Sequence, residues 1–188
     1  MCSKIALMNG YKKVYFLDDN RAVNPNADGT TSDIGDYLDE CDFFVGIGDN
    51  KIRMMLFKKI EQLNGSFATL IHPFSAVDND VIIGPGSVVM AGSVINSGAV
   101  IGKGVIINTC SSVDHDCYIG EFSHIAVGTH LAGTVHVGTN VFIGTGAAVI
   151  NNVSICDDVL VGACSGVIKS ITVSGKYVGT PAKYLSEL

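Results

Sequence analysis

Eighteen aliphatic residues, each six positions after the last, constrain this chain more than any other feature. The column starts at Ile71 and runs through Val77, Ile83, Val89, Ile95, Ile101 and Ile107 to Val167 and Val173 without a failed step. A helix repeats its apolar face every 3.6 residues and a strand every second residue, so a strict six belongs to a short unit stacked on copies of itself. Two positions before the aliphatic residue stands a small or β-branched one, among them Ser87, Ser93, Ala99, Val105, Cys117, Ser123 and Thr129. One large and one small inward position is what a strand presents when it packs into a narrow interior. Glycine follows the aliphatic residue at Gly84, Gly102, Gly120 and Gly138, a spacing of 18, so three hexads make one coil. The expected fold class is mainly β: a triangular parallel β-helix over residues 71–173, with residues 174–188 as a C-terminal tail.

Residues 1–70 follow another pattern. Segments 13–17 and 41–48 read as buried strands that end in the polar pairs Asp18-Asp19 and Asp49-Asn50. Ile52, Met55, Leu56, Lys59 and Ile60 recur at helical spacing and Asn64-Gly65 stops the run, so a helix is expected over 51–63 and a further strand over 67–71. This is the order of a small parallel α/β, Rossmann-like domain, in which ligands gather at the carboxyl ends of strands. A net charge of -6 over 188 residues argues against a nucleic-acid partner. With no run of 18 apolar residues and no secretory leader in residues 1–10, a cytoplasmic protein without a membrane partner is expected. The six cysteines lack any Cys-x-x-Cys spacing and read as reduced structural residues, and no metal is expected.

Six strings occur in a fixed order: L-D-D-N at 17–20, I-G-D-N at 47–50, I-H-P at 71–73, V-D-H-D-C at 113–117, I-G-E-F-S-H at 119–124 and G-T-P-A-K at 179–183. Together they resemble the sugar O- or N-acetyltransferases of the NeuD/PglD type. The resemblance implies a left-handed β-helix that binds acetyl-CoA as co-substrate, joined to a nucleotide-sugar-binding α/β domain, in a homotrimer. It makes His115 the general base for an amino or hydroxyl acceptor, with Asp116 fixing the imidazole tautomer and stabilising the cation that forms. It puts acetyl-CoA contacts at His124, Gly133, Thr145 and Ala163, the last where the family pattern has glycine, and nucleotide-sugar contacts at Asp18, Asp19 and Gly48.

Coil arithmetic refines these expectations. Adding 18 to 115 gives Gly133, which should leave open space beside His115 and a backbone N–H for a developing oxyanion. Thr145 and Ala163, 18 apart, should share one outward column. His124 lies half a coil from His115, so a thioester touched by both would have to sit between protomers. The strand and glycine-rich turn that precede L-D-D in the family are missing, so the α/β domain reads as N-terminally truncated with an exposed sheet edge. A CoA-binding relative impaired in acceptor binding is therefore the alternative function. A zinc carbonic anhydrase on the same fold is a remoter one, because His124, His130 and His136 should fall on successive faces and not around one metal.

Overall fold

Each hexad folds into a short strand and a tight corner, and each strand pairs in parallel with the one 18 residues on. Ser112–Val113, for example, pairs with Val94–Ile95 before it and His130–Leu131 after it. The computed structural model describes residues 1–20 and 22–188 and forms a three-faced prism. The first face runs from Leu70–Ile71 through Ile106–Ile107 and His124–Ile125 to Val159–Val161, the second from Ala76–Val77 to Gly166–Val167, and the third from Ile82–Ile83 to Ser154–Ile155.

The aliphatic column fills the interior, where Val89, Ile107, Ile119, Ile125 and Ile143 have no exposed surface. The small column fits beside it, with no orphaned buried side-chain polar atom among the described residues. Ser87, Ser93 and Ser123 each donate a hydroxyl proton, at 2.8 Å, to the carbonyls of Gly102, Asn108 and Gly138 respectively, so serine supplies small volume and satisfied polarity together. The glycine column has a steric cause. A Cβ on Gly84 would lie 2.6 Å from the carbonyl carbon of Gly102 and one on Gly102 2.8 Å from the amide nitrogen of Glu121, so the backbones of successive coils touch there.

The last step of the period departs from the rule. Val173 is 59% exposed while Ile171 is buried, and Ile171 bridges to Ile155 at a separation of 16 instead of 18. The shortened coil lets Gly175–Val178 pair with Val159–Val161 and return antiparallel as Lys183–Ser186.

The N-terminal region holds helix α1 (Cys2–Met8), strand β1 (Asp42–Phe43), helix α2 (Asn50–Gln62) and strand β2 (Ser66–Phe67), with a 3-10 helix at Thr31–Tyr37. β1 and β2 pair in parallel, so β1-α2-β2 is one small βαβ unit. Segment 13–17, expected as a strand, makes only an isolated bridge from Leu17 to Gly29. Its neighbour is a turn: Asp28 donates its N–H to the Phe16 carbonyl at 2.7 Å and accepts the Phe16 N–H on its carboxylate at 2.8 Å. Segment 67–71 divides, with Phe67 ending β2 and Leu70–Ile71 opening the prism. The Asn9 side chain donates to and accepts from the backbone of Ile71, at 2.7 and 2.9 Å, which occupies the outer edge of that first strand.

α2 is capped by Asp49, whose carboxylate accepts the Ile52 N–H at 2.9 Å, as an N-cap requires. Its buried residues are Asn50, Arg53, Phe57 and Ile60, whereas Ile52 and Met55, members of the helically spaced set, are 45% and 61% exposed. The cause is Arg53, which is wholly buried. Its guanidinium donates to the carbonyls of Gly104 at 2.8 Å, Phe122 at 2.7 Å and Ile47 at 2.9 Å, and to Asn50 Oδ1 at 2.8 Å. Gly104 and Phe122 are left-handed corners of successive coils, at φ 63° and 58°. One side chain therefore fastens α2 to the edge between the third and first faces.

Candidate active site

His115 and Asp116 stand on the edge between the second and third faces. Asp116 adopts φ 56°, a left-handed corner conformation that Asp tolerates better than most residues. Its Oδ2 accepts a hydrogen bond from His115 Nδ1 at 2.9 Å. A carboxylate cannot donate, so the proton sits on Nδ1 and the free lone pair on Nε2. The hydrogen bond to Asp116 is the main cause of a raised His115 pKa; partial desolvation opposes it and the charges of Asp114 and Asp116 add to it. Asp114 Oδ1 in turn accepts from Asn96 Nδ2 and from the His115 backbone N–H, both at 2.8 Å.

The corner is hollowed on both sides. A Cβ on Gly133 would overlap His115 Nε2 and lie 2.6 Å from Cε1, and one on Gly98 would lie 2.5 Å from Asp116 Oδ1. The space expected above Gly133 is thus occupied by the imidazole itself, and Gly133 is buried beneath it. No acceptor for the Gly133 N–H is found among the described residues.

His124 is in the opposite chemical state. It is 8% exposed on the first face and packs edge-on against Phe142. Asn108 Oδ1 accepts the Thr109 N–H at 2.8 Å, so its Nδ2 donates to His124 Nε2 at 3.0 Å. That leaves Nδ1–H to donate to the Gly48 carbonyl at 3.3 Å. Burial pushes the His124 pKa down to about 4, the Gly48 hydrogen bond opposing and the Arg53 charge adding to the shift. His124 is therefore a neutral, fixed hydrogen-bonding group that ties Gly48 to the prism. Asn108 and Arg53, absent from the sequence reading, hold this contact.

The remaining expected site residues lie elsewhere. Thr145 and Ala163 are exposed on the edge between the first and second faces, stacked so that Thr145 accepts the Cys164 N–H at 2.9 Å. Their own N–H groups have no acceptor among the described residues. Two such donors about 4.8 Å apart along the prism suit an extended ligand carrying amide carbonyls. Asp19 is already engaged: its two oxygens accept from Thr31 N and Oγ1 at 2.8 and 2.9 Å, and these bonds hold its carboxyl below the usual range. Asp18 accepts the Asn20 N–H at 2.9 Å. The structure thus joins His115, Asp116 and Gly133 at one edge, and His124 with Gly48 at the covered first face. Thr145 and Ala163 share a third location. His124, His130 and His136 fall on the first, second and third faces respectively, and no metal-holding group of His, Cys, Asp and Glu is found among the described residues.

Residues 1–60 match the family described as PglD N-terminal domain. A UDP-N-acetylbacillosamine N-acetyltransferase of Bacillus subtilis (strain 168) is 37% identical over 49 residues, which span 26% of this chain and 23% of that protein. The alignment therefore covers less than a quarter of that relative's length. The acetyltransferase domain of PglB from Neisseria gonorrhoeae FA1090, in complex with acetyl coenzyme A, superimposes with a TM-score of 0.92 at 35% identity, covering 98% of this chain and 92% of that one. PerB from Caulobacter crescentus, in complex with CoA and GDP-perosamine, superimposes with a TM-score of 0.89 at 34% identity, covering 96% and 88%.

Proposed function

The chain belongs to the NeuD/PglD-type family of sugar acetyltransferases, and on that premise we propose that it moves the acetyl group of acetyl-CoA onto the amino group of a nucleotide-linked sugar. The observation that carries this reading is an exposed imidazole with Nδ1 committed to Asp116 and Nε2 free above a glycine. His115 Nε2 takes a proton from the amine as its nitrogen bonds to the thioester carbon. The C–S bond then breaks, and the CoA sulfur leaves with that proton. Asp116 keeps Nδ1 protonated and stabilises the imidazolium between these steps. The Gly133 N–H is the donor for the tetrahedral oxyanion, and the N–H groups of Thr145 and Ala163 hold the pantetheine arm. Gly48 and Asp18 border the nucleotide, Asp19 shapes their loop through Thr31, and His124 holds Gly48 against the prism.

Because the base and the Thr145–Ala163 donors occupy different edges of one prism, the complete site is assembled between neighbouring chains of a homotrimer. The reaction is tested by following CoA release from acetyl-CoA with UDP- and GDP-linked amino sugars. His115→Ala should abolish turnover while calorimetry still detects CoA binding; wild-type turnover in that variant overturns the reading.

A further inference from the structure

We propose that Asp114, clamped by Asn96 from the coil below, is a positioning residue that sets the orientation and basicity of His115. The inference rests on the reading of His115 as the base. Asp116 bonds the imidazole ring, whereas Asp114 bonds the backbone from which the ring hangs. One oxygen of Asp114 receives both donors, the Asn96 amide and the His115 N–H, each at 2.8 Å. Asn96 is 18 residues before Asp114, directly beneath it in the stack, with its backbone N–H bonded to the Val113 carbonyl. The clamp is therefore fixed by the same ladder that fixes the corner.

Two donors on one carboxylate also keep it ionised. The Asn96 hydrogen bond is the largest cause of the lowered Asp114 pKa, followed by that from the His115 backbone. A second negative charge is thus favoured at the base of the imidazole, where it stabilises the cation formed during transfer. Among the described residues no cation other than His115 itself acts on Asp114 or on the imidazole. The corner contributes only Asp114 and Asp116 as charges, the coil above contributes Gly133 and Thr134, and the coil below contributes Asn96, Ser97 and Gly98. Asp78 and Asp80, further down, are taken up by the Ser97 and Gly98 amides and the Ser97 hydroxyl.

Two substitutions separate charge from clamp. Asp114→Asn keeps the acceptor oxygen and removes the charge; Asn96→Ala keeps the charge and removes the clamp. The readouts are the NMR titration of the His115 Cε1–H signal and the pH dependence of kcat/KM for acetyl-CoA with the acceptor sugar. In Asp114→Asn the His115 titration and the acid limb of the profile should both move to lower pH. Its plateau kcat should fall about tenfold, with KM for acetyl-CoA unchanged. Asn96→Ala should lower kcat in the same way, with melting temperature and CoA binding preserved. If Asp114→Asn does not fold, the titration and kcat of Asn96→Ala decide alone. Titrations and profiles superimposable on wild type overturn the inference. If His115→Ala keeps turnover, the base reading fails instead, and the NMR titration still reports whether Asp114 governs the imidazole.

Discussion

Replacing Arg53 by methionine should loosen the α/β unit from the prism, and the cost follows from the hydrogen bonds it makes. Among the described residues the guanidinium pairs with no carboxylate; it donates to the carbonyls of Ile47, Gly48, Gly104 and Phe122 and to Asn50 Oδ1, at 2.7 to 3.1 Å. Burial pushes its pKa down to about 10, with Asp49 opposing, so desolvation offsets part of what those bonds contribute. Methionine fills similar volume and donates nothing. The carbonyls of Ile47, Gly104 and Phe122 and the side-chain oxygen of Asn50 then lose their donor, while Gly48 keeps His124. At about 1–2 kcal/mol for each of these four groups the gross loss is about 4–8 kcal/mol, and the relieved desolvation of the guanidinium offsets part of it, leaving about 3–5 kcal/mol. That corresponds to roughly a 10²- to 10⁴-fold increase in local opening. Native-state amide exchange read by mass spectrometry should show α2 losing protection by this factor, with the strands around Ile119 and Ile143 unchanged. Lysine at the same position should recover only part, since one ammonium lacks the planar fork that spans two corners. Unchanged protection of α2 in the methionine variant, or equal loss along the prism, would refute the assignment of Arg53 to docking.

Three further outcomes bear on the site. Gly133 does not need a left-handed backbone, so Gly133→Ala should fold normally while its Cβ displaces the imidazole; kcat should drop by about 10² at an unchanged melting temperature. Asp116→Asn removes the negative charge from the hydrogen bond that chiefly raises the His115 pKa and so weakens that cause. Because the proposed base, His115, works only when neutral, activity should be lost as pH falls through that pKa, and the acid limb of kcat/KM should move to lower pH with a reduced plateau; an unmoved limb contradicts the role proposed for Asp116. His124 titrates near 6.5 when unfolded and near 4 when folded. As pH falls through that window the unfolded chain binds a proton that the folded chain refuses, so stability declines by roughly 3 kcal/mol in full. His124→Gln should show a flatter dependence than wild type in urea unfolding at pH 7, 5.5 and 4.5.

The prism was legible because, up to its shortened last coil, each strand has its neighbours 18 positions away. Sequence position is then a spatial coordinate, and Gly133 beside His115, or three histidines on three faces, could be read directly. Nothing equivalent holds for the α/β unit. The helically spaced set within α2 includes Ile52 and Met55, yet the buried stripe runs through Arg53 because corner carbonyls 51 and 69 residues away need donors. A local apolar pattern cannot register a demand made by distant backbone. Segment 13–17 failed as a strand for a related reason: its apolar run has only a turn at 28–29 to pair with.

Docking of the α/β unit also decides which imidazole titrates. His115 and His124 are nine residues apart in similar surroundings of sequence, but the unit covers the first face and leaves the edge between the second and third open. Covered, His124 is held neutral by burial and by the nearby Arg53 charge, against the opposing hydrogen bond to Gly48; uncovered, it would regain water and its pKa would rise toward the ordinary 6.5. Arg53 lies on the same seam, through Gly48 and the Phe122 carbonyl. Arg53→Met should therefore move the His124 Cε1–H titration upward from about 4 while leaving that of His115 in place. Both signals moving together would mean that the substitution disturbs the prism itself, and neither moving would mean that His124 owes its low pKa to the prism and not to the unit docked on it.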